Sequence, residues 1–177
     1  MNRQQNDTKN NAAVKEKSHG AVRRFLARKD IVFSAKRYGI DALGAMALGL
    51  FGSLLIGTIF KAIGLIPHLG FFATIGGYAQ AVVAVAIAYA LKAPPFVLYS
   101  AAAVGYAANA LGAAGGPLAV LLITVVAVEC GKAVSKETKI DIIVTPFVTV
   151  FVGGGLSLLI APYIGKAVSY VGTFIGW

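Results

Sequence analysis

Residues 42–60, ALGAMALGLFGSLLIGTIF, carry no charged side chain, and similar stretches recur along the chain. A helix needs about 20 apolar residues to cross the hydrocarbon of a bilayer. At that depth no water is available, so backbone polar groups must be satisfied within the segment, which a helix does. Residues 71–91, 94–112, 117–134 and 142–161 read as further spans. Residues 162–177, PYIGKAVSYVGTFIGW, begin a sixth apolar segment that stops short. The fold class expected is therefore all-α: a polytopic helical membrane protein with five to six transmembrane helices.

Composition agrees. The chain is 58% hydrophobic and 13% charged, against roughly 45–50% and about 25% in soluble domains. That excludes a soluble globular enzyme and a disordered chain. Cys130 is the single cysteine, which excludes a disulfide scaffold.

Charge is concentrated at the start. Residues 1–41 hold ten of the sixteen Lys and Arg, including every Arg, and four of the seven acids. Residues 1–20 are polar, cannot bury enough surface to offset ordering entropy, and read as a disordered tail. Residues 21–40, AVRRFLARKDIVFSAKRYGI, place Val22, Phe25, Leu26, Val32 and Phe33 near helical spacing. Arg23, Arg24, Arg28 and Arg37 fall mostly between them, the pattern of an amphipathic helix lying among lipid headgroups. A nucleic-acid-binding arm is the weaker alternative, since the segment leads straight into a span. Residues 41–177 then form the transmembrane bundle. With the N-terminus in the cytoplasm, fourteen Lys and Arg lie inside and only Lys61 and Lys166 outside. The positive-inside bias thus predicts N-in.

Helices in lipid associate by close packing, so small residues mark contact faces. Ala45, Gly49, Ser53 and Gly57 recur every four residues in the first span, and Ala101, Gly105, Ala108, Gly112 and Gly116 act similarly in and after the third. Gly153, Gly154 and Gly155 follow Pro146 in the fifth span; they signal either a broken helix or a close crossing. The run Ser53-Leu54-Leu55-Ile56 reappears as Ser157-Leu158-Leu159-Ile160, with Gly49 matching Gly153, a weak internal echo.

No phosphate-binding loop and no zinc-binding motif occurs, and His19 and His68 are far apart, so no metal or cofactor is expected. Transport, regulation and scaffolding remain. Glu129 is the one acid inside an apolar run, and such a carboxylate marks a functional site by default. Lys132, three residues on, can pair with it. Asn109 and Gln80 offer donors and acceptors suited to sugar hydroxyls. Tyr78 and Tyr106 could stack on a sugar ring. Glu129, Asn109, Gln80, Tyr78 and Tyr106 are the candidate solute-binding set; the plainer reading makes the amides interhelical glue and Glu129 an interfacial ion pair. Thr145 and Thr149 flank Pro146 and are candidates to satisfy carbonyls freed by it.

Residues 38–60, YGIDALGAMALGLFGSLLIGTIF, residues 136–147, KETKIDIIVTPF, and the 104–117 run VGYAANALGAAGGP resemble the phosphotransferase-system EIIC-like membrane family. The branch is the one that includes the perfringolysin O regulator-like proteins. The resemblance covers about residues 20–177 and implies an inner-membrane permease component that binds and moves a small polar solute, a sugar. Family members are longer, so the chain resembles the N-terminal half of one, as the abrupt apolar end at Trp177 also suggests. Phosphoryl transfer would need separate EIIA and EIIB partners, because Cys130 sits at the end of a span. The alternative is a membrane-embedded regulator without transport activity. The bilayer is a partner in either case, and a homo-oligomer is expected.

Overall fold

The computed structural model describes residues 22–32, 34–78, 81–137 and 139–176. Gln80, the polar tail 1–20 and Trp177 lie outside the described residues. The chain divides into two units, Met1–Val32 and Phe33–Trp177.

In the first unit, residues 22–28 form a short helix, α1. Arg28 and Lys29 lie over the Phe25 ring, at 5.9 and 5.8 Å from its centroid. Asp30 has φ 53, a left-handed conformation that no helix continues through. The single helix expected over 21–40 is therefore broken.

The second unit opens with a π-helical segment, Lys36–Asp41, that runs directly into α2, Ala42–Ile63. Then follow α3 (Gly70–Tyr78), α4 (Ala81–Ala90), α5 (Pro95–Gly112), a 3₁₀ turn (Ala113–Gly115), α6 (Gly116–Val134) and α7 (Asp141–Ile175). Four helical stretches are long and apolar enough to cross a membrane: Lys36–Ile63, Gly70–Ala90, Pro95–Val134 and Asp141–Ile175. The third contains a reversal. Ala113 has φ 44, and α5 and α6 fold back to pack against each other.

Two sets of helices result. In one, α2 packs on α3 and α4; in the other, α5, α6 and α7 pack on one another, and α4 bridges to α5. The core between them is built of small side chains: Ala84, Ala88, Ala101, Ala108, Ala119, Ala127 and Ala161 are fully buried. Large apolar groups face outward, Phe51, Phe151, Tyr163 and Phe174 among them. A water-soluble fold reverses this order; in lipid, van der Waals contact between small residues holds helices together.

Two stripes make the packing explicit. In α2 the buried residues are Ala42, Gly49, Ser53 and Gly57, with Ala45 half-buried beside them. A Cβ on Gly49 would lie 2.9 Å from Val83 Cα, so α2 and α4 touch backbone to backbone. In α7 the buried residues are Thr145, Thr149, Gly153, Ser157, Ala161 and Gly165, each four from the last. A Cβ on Gly153 would strike the Val104 side chain, whereas Gly154 and Gly155 face open space. The triple glycine is thus a close crossing in an unbroken helix. Ser53 and Ser157, the echoed pair, are both buried and both donate back to their own helix, to the Leu50 and Gly153 carbonyls.

The fifth and sixth apolar segments are one helix. At about 1.5 Å per residue, the 35 residues of α7 extend roughly 50 Å, well past the ~30 Å of hydrocarbon. Pro162 sits inside it. An internal proline costs about 3 kcal/mol, yet Ala161 and Gly165 on either side are buried, and their seat holds the helix together. The expected separate sixth segment is corrected accordingly. Thr149 Oγ1 donates to the Thr145 carbonyl at 2.8 Å and Thr145 Oγ1 to the Asp141 carboxylate at 2.5 Å. The carbonyl that Pro146 deprives of its donor is that of Ile142, so neither threonine serves it in the way the sequence suggests.

Candidate functional site

Chain connectivity gives the bundle two ends. The corner end gathers the π-helical segment, the end of α4, the start of α5 and the end of α6. The hairpin end gathers the end of α5, the 113–115 turn and the start of α6.

At the corner end the physics begins with unpaired carbonyls. The last four carbonyls of a helix have no intrahelical donor. Lys92, with φ 55, donates to the Tyr89 carbonyl, and Ala93 donates to that of Ala88. This is the Schellman arrangement, which satisfies two of the four. The next backbone donors would come from positions 94 and 95, and both are proline. The Leu91 carbonyl is taken up instead by side chains from far along the chain. Arg37 Nη2 donates to it at 2.6 Å and Lys132 Nζ at 3.1 Å. The negative end of the α4 dipole favours both cations.

Lys132 is only 1% exposed, and it lies 3.4 Å from Glu129 Oε2 on the same face of α6. Both Glu129 oxygens are sealed from solvent and accept no hydrogen bond from the described residues. The contact with Lys132 is an ion pair longer than a good hydrogen bond. Glu129 therefore holds acceptor capacity in reserve, in a place where a lone carboxylate would be costly without its cation.

A second cluster lies towards the hairpin end. The Tyr78 and Tyr106 rings meet at 5.3 Å with 40° between their planes, and both remain about half exposed. Asn109 follows one turn after Tyr106, its amide oxygen lodged against Gly116. Tyr78 also borders a groove of about 320 Å³ shared with Gly52, Ser53, Ile56, Ile75 and Val82.

The five expected solute contacts do not share one place. Tyr78, Tyr106 and Asn109 are neighbours. Glu129 is thirteen residues along α6 from Gly116, roughly 20 Å at the helical rise, and belongs to the corner. Gln80 is outside the described residues. Sequence reasoning missed the part played by Arg37, which it placed among the lipid-facing cations, and the shared Leu91 carbonyl. The signal was Pro94-Pro95: two residues without N–H directly after a helix require donors from elsewhere. Among the described residues no three His, Cys, Asp or Glu side chains gather as a metal site would.

Helices of this length and polarity, small residues within and large apolar residues without, define a multi-pass membrane protein. The family model for the EIIC component of the phosphotransferase system matches residues 40–177, and the chain belongs to that family. No curated protein and no solved structure matches it.

Proposed function

We propose that this chain binds a sugar and carries it across the membrane as the EIIC-type component of a phosphotransferase system. The family match across the whole helical bundle carries this reading. The phosphoryl group would come from separate EIIA and EIIB proteins. The fourteen-to-two distribution of Lys and Arg supports an N-terminus in the cytoplasm. The chain would then cross five times, with α3 and α4 as one span and α5 and α6 as two. The corner end would face the cytoplasm and the hairpin end the exterior.

The aromatic pair Tyr78 and Tyr106, with Asn109 beside it, is the proposed sugar platform. Aromatic faces and a few directional polar groups are the usual equipment of such a pocket. Glu129 would meet the solute later, nearer the cytoplasm. The basic residues of α1, Arg23, Arg24 and Arg28, would rest on anionic headgroups, at about 1 kcal/mol each near the surface.

Uptake of labelled sugars into vesicles that contain the protein with matching EIIA and EIIB tests the reading. Accumulation of sugar phosphate, lost in Tyr106→Ala and Asn109→Ala proteins that still fold, is the expected result. Absence of uptake and of sugar binding across a broad panel would favour a membrane-embedded regulator.

A further inference from the structure

From the corner geometry we infer that Arg37 and Lys132 form a two-sided clamp on the Leu91 carbonyl, and that this clamp holds the two helix sets closed at the corner end. Arg37 belongs to the set of α2, α3 and α4, through the π-helical segment that leads into α2. Lys132 belongs to the set of α5, α6 and α7. The atom they share is the last carbonyl before the chain passes from one set to the other. Backbone hydrogen bonding cannot lock this joint, because residues 94 and 95 are prolines. Whatever rigidity the joint has beyond apolar contact comes from these two side chains.

Three further observations fit a joint that opens. Arg37 stands in a π-helical segment, a form that occurs mostly as local bulges at functional places. Lys92 holds a left-handed conformation without being glycine, a local strain of the kind found in hinges. Lys132 has a second anchor in Glu129, so it keeps a counter-charge on its own helix when the Leu91 contact breaks. Opening would separate Arg37 and α4 from Lys132 without stranding a buried charge. As the moving joint of a transporter, the clamp rests on the transport reading. As a lock between two helix sets it is measured without any solute.

The test uses cysteine accessibility in membranes, in the full chain with Cys130→Ser. Ala88→Cys reports on the corner: Ala88 is fully buried, three residues before Leu91. Ala108→Cys is the control: it is equally buried, near the hairpin end. Arg37→Gln should raise maleimide labelling at Ala88→Cys at least tenfold and leave Ala108→Cys within twofold. A double variant, Glu129→Gln with Lys132→Met, removes the other donor and leaves no bare carboxylate; it should give the same asymmetric pattern. Labelling at Ala88→Cys unchanged in both backgrounds overturns the clamp, as does an equal rise at both positions, which would mean general loosening. Labelling that follows the prediction in a protein that moves no sugar would keep the clamp and discard the transport reading.

Discussion

The two ends of the bundle solve one problem in opposite ways. At the hairpin end, α5 turns into α6 within a 3₁₀ turn, and the packing is backbone on backbone: a Cβ on Gly165 would lie 2.5 Å from the Gly112 carbonyl. No charged group is required. At the corner end, α4 stops before two prolines, and the Leu91 carbonyl is held by a guanidinium and an ammonium from distant parts of the chain. A buried lysine in a membrane protein is expensive, and here its cost is offset by an orphan carbonyl, a helix dipole and a carboxylate. The comparison teaches that the polarity of a membrane bundle is set by where its backbone fails to satisfy itself.

Substitutions can break the contrast. The largest effect is expected for Lys132→Met, which strands both the Leu91 carbonyl and the sealed Glu129 carboxylate. Removing one partner of a buried pair costs about 3–5 kcal/mol, read as a lower midpoint of unfolding in detergent. At the other end, Gly165→Ala must push a methyl against the Gly112 carbonyl. Overpacking of this kind costs about 1–3 kcal/mol, and the loss should be insensitive to any change at Lys132, since the sites are far apart.

Arg37→Gln ranks third. It removes a charge-assisted hydrogen bond from a half-buried position, worth about 1.5 kcal/mol, and Arg37→Lys should recover part of the loss because it keeps a donor. The smallest effect sharpens the comparison by its sign. Gly154→Ala faces open space in mid-helix and should stabilise by up to about 1 kcal/mol, whereas Gly153→Ala, one residue away and pressed on Val104, should destabilise.

Much of this was legible in the sequence. The membrane class follows from uncharged stretches such as 42–60, and Gly49, Ser53 and Gly57 could be picked as a face because their spacing of four is a property of any helix. Other features need the third dimension. Nothing local distinguishes Gly153 from Gly154; only the position of Val104 does. The continuity of α7 through Pro162 depends on the seat of Ala161 and Gly165, so the proline alone misleads. Glu129 and Asn109 look alike as rare polar residues in apolar runs, yet they sit on opposite halves of the bundle. Arg37 reads as one more basic residue of the N-terminal segment, because periodicity cannot tell a cation facing headgroups from one reaching a carbonyl 54 positions away.

The account's central claim is that the buried charges of the corner act as one unit with the Leu91 carbonyl. A double-mutant cycle of Glu129→Gln and Lys132→Met, read by unfolding in detergent, tests it most directly. The account predicts strong coupling: the double variant should be more stable than Lys132→Met alone by about 2 kcal/mol, since it leaves no bare carboxylate. Effects that add to within about 0.5 kcal/mol, as independent sites do, would contradict it.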